Sequence, residues 1–591
     1  MAFTSLSLYQ LWLALFLVAF AVAQKLPDIQ VDLSVKMGYD YDIVINGATP
    51  GGIMAAVSAS RVTNGRAKIL LLERTEFIGG LPANGLGATD IATQGATAGL
   101  FLEFVGRVRQ HYVDVYGEGS KQVRDSNNGY HFEPKVATKV LQGFLDEVAG
   151  SVTVLKSRQF DAQDRFAQQE NGMVKKIRVL NRKTDKEEWY NGKYFIDASY
   201  EGDLIAAAKI PFFLGREGGS TYNEIGAGVV YKYWGGEEAA GTTHQGDNTI
   251  QAFNYRLSIT NDPANVYLIP KPANYNRNEY VSLINDIITG CHTGIEAKGL
   301  CPRQAGDPNV KPNIPGQPNG IYRLTNLVRV PNNKHDGNNQ HLAFLSTDLP
   351  EENWAYPTAP WRWRDLFAER LKSYTLGLFY FAQNDREVPQ WFRNEVKGWG
   401  LAKDEYTENN FFPRQVYVRE GRRMHGEYIF TSNDAMPAAG ADRPPVHKDS
   451  ITSSHYALDS HGVRKREAGR VHLDGFVSYK TPKPYTVPFG VILPLRRAGV
   501  NNVLAPVPVS GSHIGFSTLR MEPCWMALGQ AAGVAAGLLV NDGGKGSVYQ
   551  LDVKRVQEEL MNQNSVLVYV QGWQGMSKAE REQRQWALLN S

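Results

Sequence analysis

The spacing of apolar positions between residues 41 and 73 is that of a strand, then that of a helix, and then that of a strand again. Tyr41–Asn46 predicts a short strand with a mostly apolar end, and residues 53–62 form an apolar helical run. The glycine-rich stretch 47–52 separates them, and residues 68–72 predict a second strand that ends at Glu73. The order of strand, glycine turn, helix, strand and acid is typical of the first unit of a Rossmann fold. The pattern therefore predicts a dinucleotide-binding site.

The glycine turn carries the phosphate-binding chemistry. Gly47 and Gly52 fill the outer positions of a G-x-G-x-x-G motif, with Pro50 and Gly51 between them, but Thr49 stands where the second glycine belongs. Glycines let the backbone approach a pyrophosphate at the positive end of the helix. The Cβ of Thr49 would crowd that phosphate, unless its hydroxyl donates to it. The alternative is a glycine-rich turn in an ordinary α/β core.

Further candidates for the dinucleotide site follow the second strand. Glu73 comes at about the distance expected for a carboxylate that accepts hydrogen bonds from a ribose. Arg74 is next to it, and the pair Gly79 and Gly80 indicates backbone close to the same extended ligand. We assign all four residues to the cofactor-binding site.

Helical and strand periods continue along the chain. Asp203 follows a buried strand, and it either hydrogen-bonds the ligand or caps the next helix. The tail after residue 545 predicts a helix, a short strand and a charged helix. The other predicted elements are helices at residues 100–116 and from Pro134 to 148, and strands at 152–155, 174–180, 194–198 and 502–505.

The most charged stretch is 417–428, with three arginines close together. Guanidinium groups this near one another repel unless carboxylates or a ligand anion meet them. They form either an Arg–Glu lattice between domains or a clamp on a ligand. We include Tyr417 and Arg419 as candidate catalytic residues.

The late segment has its own candidates. A helix that starts at Pro523 is rich in small residues, which permit close packing against a sheet or a cofactor, and it aims a positive dipole at whatever lies before it. We assign its Gly529, Ala532 and Gly533 to the cofactor site. His513 is the candidate for proton transfer, with Arg520 beside it, because histidine titrates near neutral pH. The alternative is a histidine that only hydrogen-bonds the cofactor or a backbone carbonyl.

Several of these phrases resemble one family, the FAD-dependent oxidoreductases of the glutathione-reductase type. They are Gly-Ala-Thr-Pro-Gly-Gly at 47–52, Glu73 with Ile-Gly-Gly at 78–80, Asp-Ala-Ser-Tyr-Glu-Gly-Asp-Leu at 197–204, the stretch 417–428, and Arg-Met-Glu-Pro-Cys at 520–524. The Thr-Pro pair resembles the branch with a Gly-x-Thr-Pro-x-Gly loop. Phe77 and Pro506 depart from the family pattern.

The resemblance implies FAD as cofactor and an α/β fold. We expect a Rossmann-like FAD-binding domain in two parts, residues 40–217 and 481–545, around a large inserted α+β substrate domain at 218–480 and before a C-terminal extension at 546–591. The resemblance also implies hydride transfer from a small organic substrate to flavin, with O₂ or another acceptor reoxidising the flavin. The alternatives are a biosynthetic flavin reductase or desaturase, and a flavin-carrying binding protein without turnover.

Composition excludes some partners. The 591 residues are 42% hydrophobic and carry a net charge of +3, which is too weak a field for nucleic-acid binding. Residues 11–22 are an apolar core followed by Ala-Val-Ala, so residues 1–23 predict a signal peptide and a secreted protein. No later stretch is long enough to span a membrane, so we expect no membrane contact after signal removal.

Cysteine use adds little chemistry. Cys291 and Cys301 flank a loop-like segment and form either a small disulfide or two free thiols. Cys524 has no CxxC partner, which argues against a disulfide reductase. No spacing predicts a metal site. The basic run at 464–466 predicts a solvated loop or a processing site.

Overall fold

Buried apolar strands form a parallel sheet in the computed structural model, which describes residues 40–301, 307–314 and 318–591. The predicted signal peptide lies outside the described residues. The strands are β1 (Tyr41–Asn46), β2 (Ile69–Leu72), β3 (Val152–Leu155), β4 (Arg158–Phe160), β5 (Ala167–Glu170), β6 (Met173–Asn181), β7 (Lys186–Asp197), β8 (Phe212–Phe213), β9 (Tyr231–Lys232), β10 (Leu257–Thr260), β11 (Val266–Tyr267), β12 (Leu327–Val330), β13 (Lys334–Gly337), β14 (Gly400–Ala402), β15 (Arg423–Met424), β16 (Ser450–Ser454), β17 (Leu458–Ser460), β18 (Leu473–Asp474), β19 (Val477–Tyr479), β20 (Tyr485–Pro488) and β21 (Val503–Leu504).

Helices cover the strands. They are α1 (Pro50–Val62), α2 (Gly80–Asn84), α3 (Leu100–Tyr116), α4 (Lys121–Asp125), α5 (Pro134–Glu147), α6 (Asp203–Ala207), α7 (Gly219–Tyr222), α8 (Ser282–Thr289), α9 (Thr293–Ala297), α10 (Trp361–Asn384), α11 (Gln390–Val396), α12 (Ser432–Ala435), α13 (His513–Leu519), α14 (Glu522–Asn541), α15 (Val553–Asn562) and α16 (Lys578–Leu589).

The main sheet has the parallel order β3-β2-β1-β7-β21. Both faces are covered, so successive residues of β1 enter different cores: Ile43 and Ile45 pack with α1, and Val44 packs on the opposite face. The long β7 continues beyond the parallel part and pairs antiparallel with β6. The chain is therefore a mixed α/β protein with a parallel sheet, which confirms the predicted fold class in this coarser form.

A second, antiparallel sheet has the order β11-β14-β10-β13-β12. It is built entirely from residues between 257 and 402. Tyr39–Ser591 forms one compact unit, so the predicted domain boundaries inside it stay predictions.

Two expectations about later segments were wrong: that no later stretch is long enough to span a membrane, and that the tail contains a short strand. By length and composition, α14 could cross a membrane, but 89% of its apolar window is buried inside the fold, as in a core helix. In the tail, α15 and α16 form, whereas no strand forms between them among the described residues. Val566 there only accepts one hydrogen bond from Ser453.

The open question about the cysteines has an answer in the structure. Cys291 and Cys301 form a disulfide, with Cα atoms 5.2 Å apart. Cys524 is free and buried within α14.

Candidate cofactor and active site

The glycine turn is shaped by contacts within the chain. Gly47 has a φ of +102°, and a Cβ there would lie 2.8 Å from the carbonyl carbon of Ala198. Thr49 caps α1: its hydroxyl accepts from the Gly52 amide at 3.2 Å and donates to the Ala198 carbonyl at 2.8 Å. The Thr49 hydroxyl therefore donates its proton to Ala198. It is not free to donate to a phosphate, which was one of the possibilities that the sequence offered.

A cavity of about 460 Å³ opens beside this turn. It continues past the end of β2 and reaches the chain around residue 417. Of the predicted cofactor residues, its lining includes Gly47, Thr49, Glu73, Arg74, Gly80 and Asp203.

Glu73 and Arg74 lie at one end of the cavity. The Glu73 carboxylate accepts from the amide and the hydroxyl of Thr75, and burial raises the pKa of Glu73. The Arg74 guanidinium lies 3.8 Å from the ring centre of Trp361 and pairs with Asp365 at 2.7 Å. Trp361 and Asp365 come from the start of α10, and Arg74 also donates to Gln159 of β4 at 3.2 Å, so residues from two distant parts of the chain cover this end.

Gly79 and Gly80 shape the opposite wall. Both have positive φ, and Gly79 precedes the first turn of α2. A Cβ on Gly80 would overlap the hydroxyl of Tyr200, and a Cβ on Gly79 would lie 2.7 Å from Ala83. Gly80 therefore admits Tyr200 to the cavity wall, while Gly79 serves the packing of α2.

Asp203 does not cap the next helix, and its role as a cofactor ligand stays a prediction, with its place in the cavity lining in favour. Its carboxylate lies 2.6 Å from both Arg364 and Arg422. Burial alone would raise the pKa of Asp203, but the two guanidinium groups outweigh it and hold the pKa below its usual range. Asp197, not Asp203, accepts from the first amides of α6. Asp203 therefore anchors α10 and the 417–428 stretch to the main sheet.

The small residues of α14 face a helix. A Cβ on Gly529 would overlap the Gly51 carbonyl, and one on Gly533 would overlap the Ala55 carbonyl. Ala532 is fully buried in the same core. We therefore revise the assignment of Gly529 and Gly533: they permit close packing of α14 on α1. This packing also joins the early and late parts of the chain, as the sequence predicted.

Three arginines surround Tyr417. The guanidinium carbons of Arg419, Arg520 and Arg256 lie 4.8, 5.7 and 6.0 Å from its ring centre. Arg520 also donates to the Tyr417 hydroxyl at 2.8 Å. We call these four residues the Tyr417 cluster. Three of its members were predicted as catalytic from the sequence, whereas Arg256 was not.

Carboxylates balance the cluster. Asp336 pairs with Arg256, Asp348 lies 2.8 Å from Arg419, and Asp459 lies 3.5 Å from Arg520. The Nε atoms of Arg419 and Arg520 and one Asp459 oxygen are buried without a hydrogen-bond partner among the described residues. Buried polar groups without partners are costly, so these atoms point to a polar ligand in the working protein.

The rest of the 417–428 stretch forms a lattice. Arg423 lies 2.9 Å from Glu217 and 3.0 Å from Glu420, and Arg422 binds Asp203. The lattice alternative is therefore present for this part of the stretch, and the clamp on a ligand stays a prediction for Tyr417 and Arg419.

His513 does not contact the Tyr417 cluster directly. Its Nδ1 lies 3.0 Å from Glu420 and its Nε2 lies 3.0 Å from the hydroxyl of Ser460. Burial alone would raise the pKa of Glu420, but His513 and Arg423 outweigh it and hold that pKa low. The prediction that His513 transfers a proton stays a prediction, since a histidine between a carboxylate and a hydroxyl can either move a proton or only position its neighbours.

A second cavity, of about 340 Å³, reaches the surroundings of the cluster through Asp348. Asp348 binds Arg419 and also lies 2.9 Å from His461. Val416 and Val418, which flank Tyr417, line the larger cavity. The Tyr417 cluster is thus next to residues of both cavities, although its own four side chains line neither. The basic run at 464–466 lines the smaller one and is a loop with Lys465 and Arg466 exposed, as the solvated-loop prediction has it, although each of its three side chains also pairs with a carboxylate.

One acidic group resembles a metal site. Glu133, Asp404 and Glu405 lie close together, but the Lys334 ammonium is within 2.8 Å of all three carboxylates. Lysine thus takes the position that a cation would need.

The glycine turn, the helix behind it and the long cavity define a nucleotide-binding α/β protein. The chain matches the model of the FAD dependent oxidoreductase family over residues 42–560, and it belongs to that family. The protein is thus an FAD-dependent oxidoreductase, and FAD is its cofactor. No curated protein matches the chain at a significant level.

Solved structures show only local similarity. The myxobacterial chondrochloren halogenase CndH is 18% identical, with a TM-score of 0.18 over 27% of this chain and 37% of that chain. THI4 of Thermovibrio ammonificans is 17% identical, with a TM-score of 0.20 over 36% and 76%. The 3-ketosteroid-Δ4-(5α)-dehydrogenase of Rhodococcus jostii is 15% identical, with a TM-score of 0.19 over 30% and 50%. These alignments span about a third to three quarters of the other chains, and at such TM-scores the family match alone defines the class.

The residues present fit FAD. The turn at 47–52 with the start of α1 suits a pyrophosphate, and Glu73 suits a ribose. In the Tyr417 cluster, which lies next to Val416 and Val418 of the cavity lining, the unpartnered guanidinium N–H groups of Arg419 and Arg520 and the free Asp459 oxygen suit the carbonyl and N–H groups of an isoalloxazine or a polar substrate.

Proposed function

We propose that this chain is a secreted oxidase or dehydrogenase that oxidises a small organic substrate by hydride transfer to flavin, with O₂ or another acceptor completing the cycle. We further propose that it belongs to the glutathione-reductase type with a Gly-x-Thr-Pro-x-Gly loop and that residues 218–480 form its substrate domain. Its partner would be a small molecule, with neither nucleic acid nor membrane involved after signal removal. The observation that carries the proposal is the buried Tyr417 cluster, whose chain neighbours Val416 and Val418 line the larger cavity and whose partner Asp348 lines the smaller one.

The larger cavity would hold the cofactor. It begins at Glu73 and Arg74, passes Gly47 and ends at the valines that flank Tyr417. FAD, when bound, supplies the acceptor for two electrons. The smaller cavity would hold the substrate, because its lining includes Asp348, which binds Arg419 of the cluster.

Tyr417 is the residue that we assign to hydrogen bonding of the substrate. Its hydroxyl accepts from Arg520, which leaves the phenolic proton available to a substrate oxygen. Burial raises the pKa of Tyr417, although the nearby guanidinium groups oppose the increase, so the phenol keeps its proton at neutral pH. The proton that the substrate releases with its hydride would pass to the unpartnered oxygen of Asp459. Arg419 and Arg520 would orient the substrate with donors fixed by Asp348 and Asp459.

His513 would act through its neighbours. Ser460, which contacts its Nε2, lies in β17 directly after Asp459. His513 and Glu420 thus support the strand that presents the Arg520 partner, which is a positioning role.

Anaerobic mixing of the purified protein with a panel of alcohols, amines and sugars tests the proposal. Bleaching of the flavin absorption bands by one class of compound would support an oxidising enzyme. Bleaching only by NADH or NADPH would replace the proposal with a flavin reductase. If neither bleaches the flavin, the proposed oxidation is wrong and a carrier without turnover remains.

A further inference from the structure

A buried carboxyl group lies next to the phosphate-binding turn without a charged partner. Glu522 is the first residue of α14 and is 4% exposed. One oxygen accepts from the Tyr200 hydroxyl at 2.5 Å. The other oxygen has no hydrogen-bond partner among the described residues. Buried carboxylates are usually paired with a cation or several donors, so this arrangement suits a neutral carboxylic acid.

Tyr200 connects Glu522 to the cofactor cavity. Its hydroxyl accepts from the Leu81 amide at 3.0 Å, and its side chain lines the larger cavity together with Gly47 and Thr49. A Cβ on Gly80 would overlap this hydroxyl and would lie 2.7 Å from the ring of Pro50, the first residue of α1. The Glu522–Tyr200 pair is therefore directly behind the turn that would receive the pyrophosphate.

Among the described residues around Glu522, no positively charged side chain compensates the charge of an ionised carboxylate. Tyr200 is the titratable side chain that contacts Glu522, and Glu201, next to Tyr200, is another acid. Helix α1, which packs along α14, carries no acidic or basic residue before Arg61. His513 of α13 is bonded to Glu420. Burial raises the pKa of Glu522 to about 8, and only the hydrogen bond from Tyr200 opposes this increase.

We propose that Glu522 keeps its proton beside the phosphate turn at neutral pH, and that loss of this proton weakens retention of the dinucleotide. A pyrophosphate carries two negative charges, so an ionised carboxylate behind the turn would repel it, whereas a neutral acid would not. Protonation of Glu522 and binding of FAD are then linked, and each favours the other. This inference rests on FAD as the cofactor and is independent of the substrate proposed above.

The rate of FAD release from the purified holoprotein, followed by the fluorescence of free flavin between pH 6.5 and 9.5, tests the linkage. In the wild-type protein, the release rate should increase above pH 8 by up to about tenfold per pH unit. In Glu522→Gln, which keeps the shape but cannot ionise, the increase above pH 8 should be lost, whereas any change near pH 7 would come from Glu201 in the cavity lining. A flat profile for the wild-type protein, or an unchanged increase in Glu522→Gln, would overturn the proposal.

Tyr200→Phe provides a second test if Glu522→Gln does not fold. Removal of the hydroxyl that opposes the high pKa of Glu522 should move the increase to higher pH; an increase at the wild-type pH or below would contradict the proposal. Glu76→Gln is the matched control, since Glu76 is an exposed acid at the rim of the same cavity and should keep the wild-type pH of the increase. Loss of the pH dependence in Glu76→Gln would assign the effect to the cavity as a whole and overturn the role of Glu522. No substrate is needed, so failure here is distinguishable from failure of the proposed oxidation.

Discussion

Gly529 lies so close to Gly51 that a Cβ on Gly529 would overlap the Gly51 carbonyl oxygen. This contact fixes α14 against α1, and it sets the start of α14 next to the phosphate-binding turn. The early and late segments of the chain thus form one side of the cofactor site together.

Gly529→Ala should destabilise the protein by about 1–3 kcal/mol, because the added methyl group has no space between the two helices. The free energy of unfolding, measured in urea, checks this. Gly106→Ala is the matched control: Gly106 lies within α3 with open space around its Cβ position, so alanine there should be neutral or stabilise by up to about 1 kcal/mol. Equal effects of the two substitutions would contradict the packing role of Gly529.

Trp361→Ala should accelerate the release of FAD by about tenfold, because Trp361 holds Arg74 over one end of the cofactor cavity. Flavin fluorescence after dilution of the holoprotein measures this rate. Trp363→Ala removes a tryptophan from the same helix that stacks on Phe367 and does not line the larger cavity, so its release rate should match the wild-type protein. Unchanged release from Trp361→Ala would show that this end of the cavity does not hold FAD.

The melting temperature should decrease between pH 6.5 and 8.5. Burial raises the pKa of Glu201 to about 7 and that of Glu522 to about 8, from 4.5. A carboxyl group with a raised folded pKa contributes stability that is fully present below its unfolded pKa and is lost as the pH rises through the folded value. Buried histidines such as His292, whose pKa is lowered to about 3, act in the opposite direction, but only below about pH 6.5.

Ionisation of Glu201 and Glu522 should together lower the free energy of unfolding by about 2 kcal/mol between pH 6.5 and 8.5. The double variant Glu201→Gln with Glu522→Gln should flatten the profile of the melting temperature in calorimetry. A wild-type profile that increases with pH up to 8.5 would contradict the assignment.

Tyr417→Phe should slow flavin reduction by the substrate about a hundredfold or more while FAD stays bound, because the phenolic proton is lost and the ring remains. Stopped-flow absorbance at saturating substrate separates this loss from weaker binding. Tyr112→Phe, which removes a buried hydroxyl next to Glu133 outside both cavities, should leave the reduction rate unchanged. A Tyr417→Phe variant that reduces flavin at the wild-type rate would show that the reaction does not depend on the Tyr417 hydroxyl.

The local parts of this architecture could be predicted from the sequence. The alternation from Tyr41 to Glu73 specifies strand, turn and helix within a few residues, and β1, β2 and α1 follow it closely. Thr49 was harder to interpret, because whether its hydroxyl caps α1 or binds a phosphate depends on Ala198, which comes from another strand.

The charge partners could not be predicted, because they come from distant parts of the chain. Asp203 meets Arg364 only when α10 packs against the first sheet, and Arg256 meets Asp336 only when β10 pairs with β13, which lies more than 70 residues later in the chain. His513 carried the right chemistry for proton transfer, but Glu420 and Ser460 occupy both of its nitrogens. A sequence identifies which side chains can react, whereas their availability is decided by these long-range pairs.

The visible absorption spectrum of the purified protein, with FAD titrated into any colourless fraction, tests the central claim most directly. We predict flavin absorption bands that correspond to one FAD per chain, with bands that weaken when Glu73 and Arg74 are both replaced by alanine. A colourless protein that binds no added FAD would contradict the account, as would FAD binding that is unaffected by the loss of those two side chains.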